Sequence, residues 1–197
     1  MEVTDIGEID WKKLIEEETG VGGFRKSQSN VFYASQILFC RRKKRYSDDG
    51  IPPVERFDDS WRARQIGILV HKGMEDVLLR RGYKVEQKAR KQIGEYIVSG
   101  RADAINDKHV VEIKYKGSNR YTKVSTWDAT QLGVYMNLFD RKVGYLVYIS
   151  ENEITWHRHT LPLEDEVILG YIKNYGSPRF VWECKNCGYV DRCPLWR

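Results

Sequence analysis

The 197-residue chain is 41% hydrophobic and 31% charged, sufficient for one domain with a sizeable core or one core with a small appendage. A formal net charge of +5, six Trp and twelve Tyr are compatible with a nucleic-acid surface, and equally with an enzyme for small anions. No stretch approaches the roughly 18 apolar residues that span a bilayer, and Met1–Asp10 is acidic without a signal core, so the sequence predicts a cytoplasmic protein away from membranes.

In chain order, residues 8–19 and about 33–46 are predicted as helices, and 47–59, with its Pro pair, Gly and Asp residues, as a loop. A helix follows over about 60–81, with an apolar stripe of Ile66, Leu69, Val70, Gly73, Met74, Val77 and Leu78 and a stop at Gly82. Strands are expected at about 83–91, 95–105 and 109–115, the last two joined by a turn at Asn106 and Asp107. A polar loop over 117–123 leads to a helix at 124–139 with a buried line of Ala129, Leu132, Gly133, Met136 and Phe139. Strands at about 142–149 and 153–160 flank a turn at Glu151 and Asn152, and a helix covers about 162–175. Helix, three strands, helix, two strands and helix make an α/β sheet with helices packed on it, in one folding unit. Beyond Pro178 the tail is short, aromatic and Cys-rich, cannot bury a core of its own, and must be tied down by something else.

The most informative stretch is Gly100-Arg-Ala-Asp103, followed after the hairpin turn by Glu112-Ile-Lys114. Side chains alternate along a strand, so Glu112 and Lys114 share a face about 7 Å apart, and the hairpin lets the Asp103 carboxylate converge on Glu112. Two hard carboxylates suit Mg²⁺ or Mn²⁺, and a neighbouring lysine orients or deprotonates water and offsets charge on a phosphate. Taken alone, a Glu-x-Lys on a strand is more often a solvated ladder; here the charges interrupt a segment that otherwise wants burial. His71 on the edge of a helical stripe, and Gln131 and Tyr135 at i, i+4 on another helix, have the right character to join them.

The order His71, Gly100-Arg-Ala-Asp103, Glu112-Ile-Lys114 and Gln131-Leu-Gly-Val-Tyr135 resembles the motif series of RecB-type nucleases in the PD-(D/E)xK superfamily. That resemblance implies a restriction-endonuclease-like core sheet flanked by helices. It also implies a metal held by His71, Asp103, Glu112 and the backbone carbonyl of Ile113. Lys114 would be the catalytic lysine, while Gln131 and Tyr135 would contact DNA and steady the site.

The cysteines are Cys40, Cys184, Cys187 and Cys193, the last three spaced C-x₂-C-x₅-C. In a reducing compartment four such residues are ligands or free thiols sooner than disulfides, unless the source is a hyperthermophile. Four thiolates bind either zinc or an iron–sulfur cluster, and a simple zinc ribbon would need a second C-x₂-C knuckle, which is missing. One distant cysteine plus a C-terminal trio is similar to RecB-like nucleases with an iron–sulfur staple, which implies one cluster, [4Fe–4S] favoured over [2Fe–2S]. Ser35-Gln-Ile-Leu-Phe-Cys40-Arg-Arg-Lys, Cys184-Lys-Asn-Cys187-Gly-Tyr and Cys193-Pro194 together resemble the CRISPR-associated RecB-like exonucleases, the Cas-four family. The Pro usual after the first cysteine is Arg41 here. The resemblance covers nearly the whole chain, as a single domain 1–197 in which 1–59 and 176–197 carry the cluster and 60–175 form the nuclease core.

The family implies a DNA exonuclease acting on single-stranded ends during CRISPR spacer acquisition, with the spacer-integration proteins as partners. A stand-alone recombination or repair nuclease and a non-catalytic nucleic-acid module are the alternatives. No G-x-x-x-x-G-K helicase motif accompanies the chain, and retention of Asp103, Glu112 and Lys114 argues for catalysis. Basic residues interleaved with rings (Lys114, Tyr115, Lys116, Arg120, Tyr121, Lys123 and Trp127) form the pattern that tracks phosphates and stacks bases of a single strand. The run Arg41–Arg45 is a second basic group, beside a cluster ligand.

Overall fold

A computed structural model describes residues 26, 28–54, 59–117, 123–173, 178–185 and 187–196. The predicted helix at 8–19 and the loop residues Arg120 and Tyr121 lie outside these. The strands are β1 (Val31–Tyr33), β2 (Lys84–Ile93), β3 (Tyr96–Ile105), β4 (His109–Tyr115), β5 (Val143–Ile149) and β6 (Ile154–His159). The helices are α1 (Arg41–Asp48), α2 (Asp59–Arg80), α3 (Thr126–Leu138) and α4 (Asp165–Lys173). The tail is a series of short 3-10 turns at Val181–Cys184, Val190–Arg192 and Pro194–Trp196.

The predicted strand boundaries lie close to these, for local reasons. Asn106 Oδ1 accepts the N–H groups of Lys108 and His109 and so closes the β3–β4 turn. Ser150 Oγ does the same for Asn152 and Glu153 between β5 and β6. Gly82, with φ +85, ends α2 in a left-handed conformation that lets the Tyr83 N–H return to the Leu78 carbonyl.

Two expectations need correction. Residues 33–46 are not one helix: Val31-Phe32-Tyr33 pair parallel to Ile97-Val98-Ser99, a 3-10 turn follows, and the α-helix starts only after Cys40. The apolar Val31 and Phe32 are buried beside β3, and that partner outweighs the local helical pattern. On α2 the predicted stripe is turned: Ile66, Leu69 and Val77 are exposed, while Gly67, Ile68, His71 and Glu75 face a groove. Only Met74 and Leu78 of the predicted stripe pack onto the sheet's buried cluster of Ala104, Val111 and Ile113.

The sheet order is β1-β3-β4-β5-β6, with β2 on the other side of β3. β4 and β5 run parallel, and the β3–β4 and β5–β6 pairs are antiparallel. α3 covers one face, where Leu132, Val134, Tyr135 and Met136 join Val98, Ala102, Val110 and Leu146 in the main core. This helix is buried on nearly all sides, so its polar Asp128, Thr130 and Gln131 are buried too and must find partners. No described helix is long and apolar enough to cross a membrane.

One irregularity of β3 brings its carboxylate to the α2 side. Val85 and Ala104 are register partners packed beneath α2, whereas Ala102, two residues earlier, packs beneath α3. A regular strand keeps i and i+2 on one face. The change of face falls at Glu86, whose φ of +53 is unusual for a residue with a side chain, and at Asp103 between the two alanines.

Candidate functional site

Along one edge β3 has two partners. β1 pairs with residues 97–99 and β4 with Ala104 and Ile105, leaving Gly100–Asp103 without a ladder on that edge. Asp103 fills the gap with its side chain: Oδ2 accepts the Ile113 N–H at 2.6 Å, a charge-assisted replacement for the missing strand bond. Gly100 is required here because a Cβ would stand 2.7 Å from the Tyr135 ring and 2.8 Å from Leu138. Tyr135 thereby reaches under the sheet toward the carboxylates.

Glu112 is only 2% exposed. Its Oε1 accepts from Lys114 Nζ and from Gln131 Nε2, each at 2.7 Å. Gln131 also donates to the Tyr135 hydroxyl at 2.9 Å and accepts from Lys114 at 2.9 Å, so one amide ties together three site residues. Glu112 Oε2 is buried without a hydrogen-bond partner. A buried acceptor left so fits a cation at that point. On the α2 side, His71 Nδ1 stands 3.6 Å from Asp103 Oδ1. Ligand atoms of His71, Glu75 and Asp103 lie within 4.8 Å of one another, the grouping of a metal site. Glu75 is the residue that the sequence reading missed; its i, i+4 spacing from His71 was the available signal.

Burial pushes the Glu112 carboxyl up to about 8, against the pull of Lys114 and with the repulsion of Asp103. Burial and then Glu86 push Glu75 up to about 7. Burial works to lower Lys114, but the Glu112 carboxylate more than offsets it, and the ammonium keeps its proton. His71 is likewise raised overall by Asp103 despite burial. An acidic floor of this kind welcomes a hard dication, which removes the repulsion.

His71, Glu75, Asp103, Glu112, Lys114, Gln131 and Tyr135 line one open groove of about 1310 Å³. Its walls carry Arg64 and Lys72 from α2, Lys88, Arg90 and Arg101 from β2 and β3, and Tyr33 from β1. Arg101 is paired with Glu86 at 2.5 Å. Of the proposed strand-holding group, Lys123 is exposed, while Lys116 is held at 2.7 Å by Asp128 and Trp127 packs against Phe39, Phe180 and Trp182. Gln131 and Tyr135 line the groove but are almost wholly buried.

A second cavity of about 160 Å³ is lined by all four cysteines together with Phe39, Trp127, Trp182, Tyr189 and Leu195. Glu183 ties it shut: its Oε1 accepts the Cys40 N–H at 2.8 Å, and its Oε2 those of Arg179 and Phe180 at 3.0 Å. Burial, and the nearby thiols of Cys40, Cys187 and Cys193, raise the Cys184 thiol.

No family model matches the chain. The CRISPR-associated exonuclease Cas4 of Saccharolobus solfataricus is 30% identical to it over 205 residues, spanning 96% of this chain and 98% of that protein. The chain belongs to the Cas4 exonuclease family. It is therefore a nuclease, and nucleases of this kind imply a divalent metal. Within the family's fold the structure of SSO0001 superposes with a TM-score of 0.73 at 28% identity, over 94% of each chain. An alkaline exonuclease from Laribacter hongkongensis shares the fold at a TM-score of 0.51 and 13% identity, over 79% of this chain and 86% of that one. The six-stranded sheet with flanking helices is thus the expected restriction-endonuclease-like α/β core.

Proposed function

We propose that this Cas4-family chain is a divalent-metal-dependent DNA exonuclease that acts on single-stranded or frayed ends. We further infer that it prepares DNA for CRISPR spacer acquisition alongside the spacer-integration proteins. The observation that carries the reading is the meeting of His71, Asp103, Glu112 and Lys114 in one groove that Arg64, Lys88 and Arg90 also line.

His71, Asp103, Glu112 and the Ile113 carbonyl are the proposed ligands of Mn²⁺ or Mg²⁺, and an orphaned buried oxygen on Glu112 fits that role. The ion, when bound, supplies Lewis acidity and lowers the pKa of a coordinated water. Asp103 is pre-set for it, because the Ile113 N–H fixes one carboxylate oxygen and leaves the other toward His71. Lys114, held charged by Glu112 and Gln131, orients the attacking water and offsets charge developing on the phosphate. Gln131 and Tyr135 steady this lysine–glutamate pair from below and meet DNA only where the strand reaches the groove floor. Arg64, Lys88 and Arg90 track phosphates along the groove, and the exposed Lys123, with Arg120 and Tyr121 near it in sequence, is the proposed further contact to the strand.

Cys40, Cys184, Cys187 and Cys193 are the proposed ligands of one iron–sulfur cluster, [4Fe–4S] before [2Fe–2S], joining 1–59 and 176–197 to the core at 60–175. They line one cavity, yet no three of their sulfurs fall within 4.8 Å of one another.

The test is anaerobic purification, an optical spectrum, and Mn²⁺-dependent digestion of end-labelled single strand against blunt duplex. Brown protein that degrades single strand faster is expected. Colourless zinc protein would remove the cluster, and equal digestion of both substrates the strand preference.

A further inference from the structure

We propose that Glu75 is a further ligand of the divalent cation, standing on α2 one turn beyond His71; this rests on the metal-dependent reading of the site. Residues four apart on a helix project from the same side, so His71 and Glu75 face the groove together. Their ligand atoms and that of Asp103 form a group of three within 4.8 Å, the one such group among the described residues. An imidazole nitrogen and two carboxylates from a helix and a strand make an open, hard donor set. A third carboxylate, Glu112, lines the same cavity, and its buried Oε2 has no partner. Three donor groups thus meet at one point of the groove, and a fourth donor on the same groove is left unsatisfied.

Glu86 explains how Glu75 is presented. It lies opposite Asp103 in the β2–β3 register, between the paired Val85–Ala104 and Gln87–Ala102. Its positive φ turns it toward α2, where it shares a hydrogen bond with Glu75 and an ion pair with Arg101. Two carboxyl groups in contact form a holding arrangement that a dication releases, with Glu75 moving onto the ion and Glu86 remaining with Arg101. Asp76, next in sequence, is paired instead with the exposed Arg80 and supplies the control.

The experiment measures Mn²⁺ affinity by calorimetry, and by the electron-resonance signal of free Mn²⁺, on cysteine-metallated protein whose thiols are occupied. Glu75→Gln should weaken Mn²⁺ binding by about 10–100-fold, as changes in the ligand surroundings do, while Asp76→Asn leaves it unchanged. Glu75→Asp keeps the charge but retracts the oxygen, and should fall between. It also decides the matter if Glu75→Gln fails to fold. Wild-type Mn²⁺ affinity in the folded Glu75 variants overturns the inference. Wild-type protein that binds Mn²⁺ but cleaves no DNA overturns the nuclease reading and leaves the Glu75 assignment standing.

Discussion

Around Glu112 each supporting contact comes from paired strands or from a long buried helix: Asp103 from β3, Lys114 from β4, and Gln131 and Tyr135 from α3. Around the cysteines the supports are 3-10 turns, one carboxylate bridging residues 143 apart, and single bonds from Tyr46 to Arg192 and from Tyr189 to Ile51. The first site is assembled by the core, which would be buried whether or not an ion were bound. The second is closed by an aromatic wall and a few polar bonds between short turns, so on the proposed reading a bound group would contribute folding energy directly, as structural metals do in small domains. One site uses the fold; the other completes it.

The sharpest test of this contrast is to separate activity from stability. Lys114→Ala and Glu112→Gln should each lower cleavage by about 10³-fold or more, the scale of losing a group that stabilises the transition state. Thermal melts in chelator should show Glu112→Gln folded and close to the parent in stability, since the amide removes a buried carboxylate but leaves the Lys114 ammonium without its nearest counter-charge. Cleavage at the parental rate by Glu112→Gln would dissolve the site. Conversely Cys184→Ala should abolish visible absorption and expose the tail to protease. The stability lost should be on the order of 5 kcal/mol by analogy with cross-link entropy for so long a loop, with residual cleavage by any folded fraction. A Cys184→Ala protein that melts with the parent would show that the tail closes without the cluster.

Glu183→Ala isolates the polymer's share of that closure. Three N–H groups lose their acceptor, and about 1–3 kcal/mol should disappear from a melt of the cluster-free protein. Iron content should drop with it, because Cys40 is no longer fixed beside the tail. An unchanged melt and iron content would mean that the turns place the cysteines unaided.

Legibility in the sequence followed the same division. The β3–β4 hairpin and its Asp103, Glu112 and Lys114 were readable because strand alternation and an Asn turn are local rules, and the structure brings all three to one groove. Glu75 and the true face of α2 were not, since that helix lines a polar groove; an apolar stripe is sought for a core, and here Ile66 and Leu69 face outward. β1 escaped because three residues carry too little period, and its partner lies 66 residues away at Ile97. Trp127, grouped from sequence with the base-stacking rings, belongs instead to the aromatic wall of the cysteine cavity, because it opens α3 against Phe39, Phe180 and Trp182.

The smallest expected effect is a pH slope confined to the carboxylate site. Burial and Asp103 hold the Glu112 carboxyl up at about 8 despite Lys114, and burial and Glu86 hold Glu75 at about 7. A carboxyl with a higher pKa in the folded than in the unfolded chain binds its proton more tightly when folded. Its contribution is therefore complete below the ordinary range near 4.3, and is lost as the pH rises through the folded value. His71, also raised, acts in the same direction. In chelator the melting temperature should thus decline from about pH 5 to about pH 8, a window set by those groups. Glu112→Gln should flatten the upper part of the decline, while Cys184→Ala, remote from these acids, should retain it. Saturating Mn²⁺ should reverse the slope, because a cation binds the deprotonated carboxylates and gains affinity as they ionise. Melts across that range, with and without the ion, read both signs. A slope in chelator that survives Glu112→Gln unchanged would move the proton linkage away from this site, and leave the acidic floor without the electrostatic tension that its buried, unpartnered oxygen implies.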